Sequence, residues 1–180
     1  MREIVELAEL WAPGADHGFV AAGEADIEWL EVVTERPLPP AYLRFLTTMG
    51  GGTGPVRIDD VDTTIASIVS RYDLVPWTPP PRYVCFGIDT DAMAPMSFYL
   101  DRDRMAGDDS AVVRFPFPEE DDIDASQVVT VSKSLLDFLV WAAFTSMRCE
   151  MLAASRLVVP PAPVRQGAAK RPPGKPTPGW

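Results

Sequence analysis

The segment that most constrains the fold is Leu38–Gly52, with the sequence LPPAYLRFLTTMGGG. Proline fixes φ at a value that suits the first turn of a helix, so Pro39-Pro40 indicate a helix start. Four apolar residues then recur at i, i+3, i+4 and i+7, a spacing that places them on one helical face. These four are Tyr42, Phe45, Leu46 and Met49. We expect Gly50–Gly52 to end the helix by supplying positive φ.

The composition is that of one globular domain with a substantial core. The chain has 180 residues, of which 47% are hydrophobic and 23% are charged. It contains no apolar run near the ~20 residues that a membrane span needs. The start, MREIVELAELW, has acids among its apolar residues and is unlike a secretory signal, so a cytoplasmic location is predicted. Cys85 and Cys149 lack metal-ligand spacing and are predicted to be buried, reduced thiols.

The charge is unevenly distributed along the chain. The net charge is −10, but from Pro160 onward there are four basic residues and no acid, so the rest carries −14. Such a body should repel nucleic acid and attract basic proteins. We therefore expect neither a nucleic-acid nor a membrane partner. Residues 158–180 are rich in proline and predicted to be a disordered basic tail, which leaves residues 1–157 as a single domain.

Hydrophobic periodicity predicts helices first and strands later. Helices are expected at Arg2–Trp11, at Glu24–Val33, within Leu38–Gly52 and over Ile65–Tyr72, the last with Asp62 as its cap. Short β-branched and aromatic runs then predict strands at Tyr83–Ile88, Met96–Leu100, Ala111–Phe115 and Gln127–Val131, with a further candidate at Val56–Ile58. No helices separate the four main strands, which favours an antiparallel sheet.

A final helix is predicted from Ser134 to about Ser155. Ser134 with Asp137 forms half of a capping box, and apolar residues cover much of the helix circumference, so we expect it to be largely buried against the sheet. The predicted fold is α+β, with an antiparallel sheet of four to six strands, N-terminal helices and a long C-terminal helix packed against it. Six aromatic residues are assigned to the core: Tyr42, Phe45, Phe86, Phe98, Phe138 and Trp141.

Several of these segments, in this order, resemble the SUKH superfamily. The resemblance covers about Glu24–Met147 and rests on ADIEWLEVV, LPPAYLRFL with its glycines, YVCFGIDTD, MSFYLD, VVRFPF and VVTVSKSLLDFLVWAAF. One departure is the turn DTDAMAP, which lacks a glycine that the family often has there. The superfamily includes bacterial immunity proteins of toxin systems and fungal regulators of cell-wall synthesis. The resemblance therefore implies a protein-binding domain.

The sequence contains no recognisable catalytic set. His17 is the only histidine and lies near no nucleophile motif, and GGGTG after the predicted helix lacks the lysine of a phosphate loop. Asp89/Asp91 and Asp101/Asp103 follow neighbouring strands and could converge on a divalent cation, although solvated hairpin ends are the favoured interpretation. We expect no enzyme activity, cofactor or metal.

All but one of the candidate functional residues are acidic. Between Asp89 and Asp124 there are eleven acids against three arginines, a net charge of −8. These acids either protect sheet edges from unwanted pairing or form a docking surface for a basic partner. The predicted partner-binding set is Asp89, Asp91, Asp101, Asp103, Glu119, Glu120, Asp121, Asp122, Asp124 and Trp77.

The functional prediction is an immunity protein that neutralises a cognate protein toxin with a basic surface, for which the resemblance implies a nuclease as one class. The alternative is a regulatory or scaffolding module of the cell-wall-regulator type, in which the basic tail would take part. The sequence identifies neither the toxin nor the oligomeric state.

Overall fold

A computed structural model describes residues 2, 5–6, 18–54, 61–74, 78–90, 96–116, 123 and 125–145. Three predicted features lie wholly or largely outside these residues: the strand at Val56–Ile58, the tail 158–180 and the extension of the last helix to about Ser155. Of the predicted first helix, only residues 2, 5 and 6 are described, and they are helical. No helix in the described ranges has the length and apolarity to cross a membrane.

The described chain is an α+β arrangement of helices and two antiparallel sheets. The helices are α1 (Glu24–Val33), α2 (Pro40–Met49), α3 (Ile65–Leu74) and α4, which covers residues 135–145, with a short 3-10 turn at Ala125–Gln127. The strands are β1 (Phe19–Val20), β2 (Gly52–Thr53), β3 (Val61–Asp62), β4 (Tyr83–Asp89), β5 (Met96–Ala106), β6 (Asp109–Pro116) and β7 (Val129–Ser132).

The main sheet has five strands in the order β3-β4-β5-β6-β7, and every neighbouring pair is antiparallel. This confirms the predicted antiparallel sheet. The residues Asp101–Arg104 were expected at a turn, and this was wrong. Strand β5 continues through them, with an irregularity in register between Asp101 and Met105, and the chain turns at Gly107, which has a φ of 67°.

Helix α2 forms as its sequence predicts. It begins at Pro40, and its four apolar stripe residues are all fully buried. The hydroxyl of Tyr42 donates a hydrogen bond to the carbonyl oxygen of Cys85 in β4 at 3.3 Å, and the Tyr42 and Phe86 rings pack edge to face. Cys85 is buried, as predicted. The stripe therefore seats α2 directly on the sheet.

The glycines after α2 do not act as predicted. Gly50 has a φ of −69°, and among the described glycines only Gly18, Gly54 and Gly107 have positive φ. The close approach of two backbone segments is a better explanation for glycine at this position. The amide of Gly51 donates to Val20 at 2.8 Å, and a Cβ atom on Gly51 would lie 2.6 Å from the Ala21 carbonyl oxygen. The end of α2 can therefore pack against the segment that follows β1 only without a side chain there.

Helix α4 buries one face against the sheet and leaves the other in solvent. Phe138 contacts the rings of Phe86 and Phe98, with centroid distances of 5.6 and 5.8 Å. Trp141 was assigned to the core, and this was wrong, because 61% of its surface is exposed. At about 100° per residue, Trp141 lies roughly 60° beyond Phe138, outside the buried arc, and Phe144 lies on the opposite side. The helix is therefore not buried around its whole circumference.

Asp62 was predicted to cap α3, but it lies three residues before the helix begins and binds no backbone amide within it. It orders the segment that leads into α3. Its carboxylate accepts hydrogen bonds from the Thr64 amide at 2.9 Å and from the Ser67 hydroxyl at 2.5 Å. Partial burial acts to raise the pKa of Asp62, but the hydrogen bonds from Ser67 and Thr64 outweigh it and lower the pKa below 3.8.

We expect Asp62→Asn to lower the free energy of unfolding by about 1 kcal/mol at pH 7, since the charged acceptor is lost. Because the folded state has the lower pKa, the ionised carboxylate stabilises the protein above pH 3.8 and loses this effect as the pH falls through the folded value. Chemical denaturation at pH 7 and at low pH should therefore show the difference from wild type shrinking in acid. Asp73→Asn, at the exposed end of the same helix, is the control and should cause no loss. A difference that is equal at both pH values would contradict this role.

Candidate interaction surface

The predicted acidic residues do not converge. In the sheet register Asp89 pairs with Val61 at one end of β4, while Asp101 pairs with Tyr83 at the other. Strand β4 has seven residues, so the two carboxylates are separated by about 20 Å. Within the described ranges, no group of three or more His, Cys, Asp or Glu is placed to hold a metal ion. The other candidates lie outside the described residues: His17, Trp77, Asp91, Glu119, Glu120, Asp121, Asp122 and Asp124.

Asp101 and Asp103 belong to an ion-pair network at the start of β4. Only 1% of Asp101 is exposed, and Arg82 donates two hydrogen bonds to its carboxylate, at 2.8 and 2.7 Å. Asp103 is exposed and pairs with Arg36 at 3.0 Å. In contrast to its predicted role, Asp101 therefore has no surface to present to a partner. Its carboxylate holds Arg82 beside the sheet.

Arg102 binds the carboxyl end of helix α1. Its guanidinium donates to the carbonyl oxygens of Thr34 and Arg36, both at 2.8 Å, and the residue is buried. Thr34 is the C-cap of α1. Carbonyl groups at this end lack partners within the helix and carry partial negative charge, so a cation is stabilising there. Burial, together with the nearby Arg36, lowers the pKa of Arg102.

Asp109 and Asp108 bind the amino ends of two other helices. The buried Asp109 carboxylate accepts from the amides of Leu135 and Leu136, each at 3.0 Å, at the start of α4. The backbone carbonyl of Asp108 accepts from the Ala41 amide at 3.0 Å, in the first turn of α2. These amides have no partner within their own helices. The acids nearest the β5–β6 turn are therefore structural.

A different surface has the features of a binding site. Val131, Ser132, Asp137, Phe138 and Trp141 line a groove of about 200 Å³ between β7 and α4, which we call the β7–α4 groove. Strand β7 is the last strand of the main sheet, and no described strand pairs with its outer edge. Val129 and Val131 on this strand are exposed.

This groove combines an unpaired strand edge with an exposed aromatic ring. A free edge offers backbone donors and acceptors to an added strand, and tryptophan is enriched among residues that contribute most to protein binding. The site was not predicted from the sequence, because Trp141 was assigned to the core. A helical projection from Leu135 would have put Trp141 outside the arc formed by Leu135, Phe138 and Leu139.

Compared with models of known protein families and with curated proteins, the sequence matches none.

We predict that Arg102→Met destabilises the fold by about 2–4 kcal/mol, because two carbonyl groups at the end of α1 lose their charged donor. Arg104→Met is the matched control on the same strand, where an exposed side chain donates to Thr130. It should have little effect. Thermal and urea unfolding of both variants measure the difference, and equal losses would show that Arg102 has no special role.

A second pair of variants tests the two faces of α4. Phe138→Ala should cost about 3–5 kcal/mol, as expected for removing a buried ring. Trp141→Gln should change the free energy of unfolding by no more than about 0.5 kcal/mol, because its side chain is mainly exposed. Urea denaturation of the two proteins compares them. A large loss in Trp141→Gln would place this ring in the core after all.

Proposed function

We propose that this protein is an immunity protein of the SUKH type, which binds a cognate protein toxin and blocks it. The exposed Trp141 in a groove along an unpaired strand edge carries this proposal. An exposed apolar surface of this kind is typical of a protein-interaction site.

Contacts between separate motifs support the family assignment. Tyr42 of LPPAYLRFL hydrogen-bonds Cys85 and packs on Phe86 of YVCFG. Phe138 of the last motif packs on Phe86 and on Phe98 of MSFYLD. Motifs that are distant in the sequence thus meet in one core, as expected if their order reflects a common fold and not chance spacing.

Charge supports a basic partner for the same surface. The acidic run Glu119–Asp124 lies in the connection between β6 and β7. Strand β6 ends at Pro116, and β7 begins at Val129. The run is therefore joined closely to the strand that borders the groove. Acidic residues beside an apolar contact speed the association of a basic protein and select against acidic ones. A nuclease toxin, with a basic substrate groove, has the required charge.

The test uses the toxin encoded by a neighbouring gene. Co-expression with this protein should restore growth, and the purified proteins should bind each other. Reversal of Asp121 and Asp122 to Lys should slow association by about tenfold at low salt and weaken its salt dependence. Trp141→Gln should instead accelerate dissociation by about tenfold or more, since it removes the apolar contact at the centre of the proposed interface.

The matched control for Trp141 is Leu74→Gln. Leu74 is also largely exposed but lies at the end of α3, on a different part of the surface. Its substitution should leave toxin binding and growth unchanged. Failure of the wild-type protein to bind any neighbouring or fused toxin domain would refute the proposed function. If the protein instead loses its function when residues 158–180 are deleted, this would favour a scaffolding protein that acts through its tail.

A further inference from the structure

We propose that the tail, residues 158–180, binds in cis to the β7–α4 groove of the free protein. The docking itself does not depend on the proposed function. Its consequence does depend on it: a partner that uses this groove would have to displace the tail.

The groove has the chemistry that recognises proline-rich segments. Trp141 presents an exposed ring, and Val131 and Asp137 also belong to the groove lining. Proline-rich segments bind to aromatic-lined grooves as extended helices that are already ordered, so little conformational entropy is lost. An acidic residue beside the aromatic ring adds attraction for a basic residue that flanks the prolines.

The tail has the complementary composition. From Pro160 onward it contains seven prolines, four basic residues and no acid, in stretches such as PPAPVR and RPPGKPTP. The remainder of the chain carries −14, so the whole body attracts this segment. Both the prolines and the basic side chains therefore have partners in the groove.

The chain also places the tail close to the groove. The described part of α4 ends at residue 145, about one turn beyond Trp141. The twelve residues between Thr145 and Val158 reach up to about 40 Å when extended, which is ample for a return to this helix. A short connection also gives an effective concentration in the millimolar range, at which a weak contact is occupied.

The size of the exposed apolar surface favours a segment over a second copy of the protein. Among the described residues it consists of a few side chains on β7 and α4, whereas a stable dimer buries about 800 Å² on each partner. A groove of about 200 Å³ accommodates a few residues of an extended chain. An intramolecular segment needs only this limited contact, because it is already tethered.

The test is paramagnetic relaxation in the full-length protein. A nitroxide is attached at Ala169→Cys in a Cys149→Ser background. Cys85 should not react, since it is buried and burial raises its pKa to about 12. We expect at least a twofold loss of signal for the Trp141 indole and the Val129–Val131 amides. The β3 amides should lose less, because four strand spacings place them about 19 Å farther away.

Two variants and one mixing experiment complete the test. Trp141→Gln, and separately Lys170→Glu with Arg171→Glu, should each reduce the broadening at β7. Equal broadening of β3 and β7, or none, would overturn the proposal. In the mixing experiment, an isotope-labelled chain without nitroxide is combined with a nitroxide-labelled chain. Broadening of its signals would mean that the tail binds to a second copy, and this would also overturn the proposal. No toxin is present, so this outcome and that of the toxin experiment are independent.

Discussion

Two of the buried charges on the β5–β6 hairpin, Arg102 and Asp109, hold helices to the sheet. Burying a charge is costly unless it is well paired, and here each charge is paired with a helix end. Arg102 binds the carbonyl groups that end α1, and Asp109 binds the amides that begin α4. The Asp108 carbonyl oxygen also accepts a hydrogen bond from the first turn of α2. Helix ends supply partial charges of the matching sign, so the hairpin satisfies groups that the helices cannot satisfy themselves. The positions of three helices thereby depend on one hairpin.

The two edges of the main sheet differ in how their backbone groups are covered. At one edge the short strand β3 pairs only with the end of β4, and helices cover β4 beyond that pairing. The Tyr42 hydroxyl donates to the Cys85 carbonyl, and the Tyr72 hydroxyl accepts from the Cys85 amide. Burial raises the pKa of both tyrosines, so each remains a neutral phenol. Strand β7 has no such cover among the described residues, and its valines are exposed. Among the described residues, no strand pairs with the outer edge of β7, so its backbone groups can accept an added strand.

The sequence predicts the parts of this fold that depend on local pattern. Proline at the first position and an apolar stripe on one face predict α2, and short β-branched and aromatic runs between breaks predict β4 to β7. The sequence does not show which groups, distant in the chain, pair with a given charged side chain in the folded protein. Asp101–Arg104 resembles a solvated turn because the groups that bind Arg102 are backbone carbonyls at Thr34 and Arg36, far away in the chain. The assignment of Trp141 to the core was wrong for a related reason. The apolar character of a side chain does not show whether the sheet beneath α4 extends far enough to cover it. The groove was missed with it.

The internal pairing of charges also changes what the acidic region can do. The net charge of −8 between Asp89 and Asp124 includes Asp101, which is neutralised by Arg82, and Asp109, which binds helix amides. Asp103 and Asp108 are exposed but each is paired with an arginine. The acidic run at Glu119–Asp124, which is joined to β7, therefore remains as the main candidate for long-range attraction. Under the proposed function, this run supplies the long-range attraction and Trp141 supplies the apolar contact. Because screening by salt acts on exposed charges far more than on apolar contacts, these two contributions are separable by ionic strength.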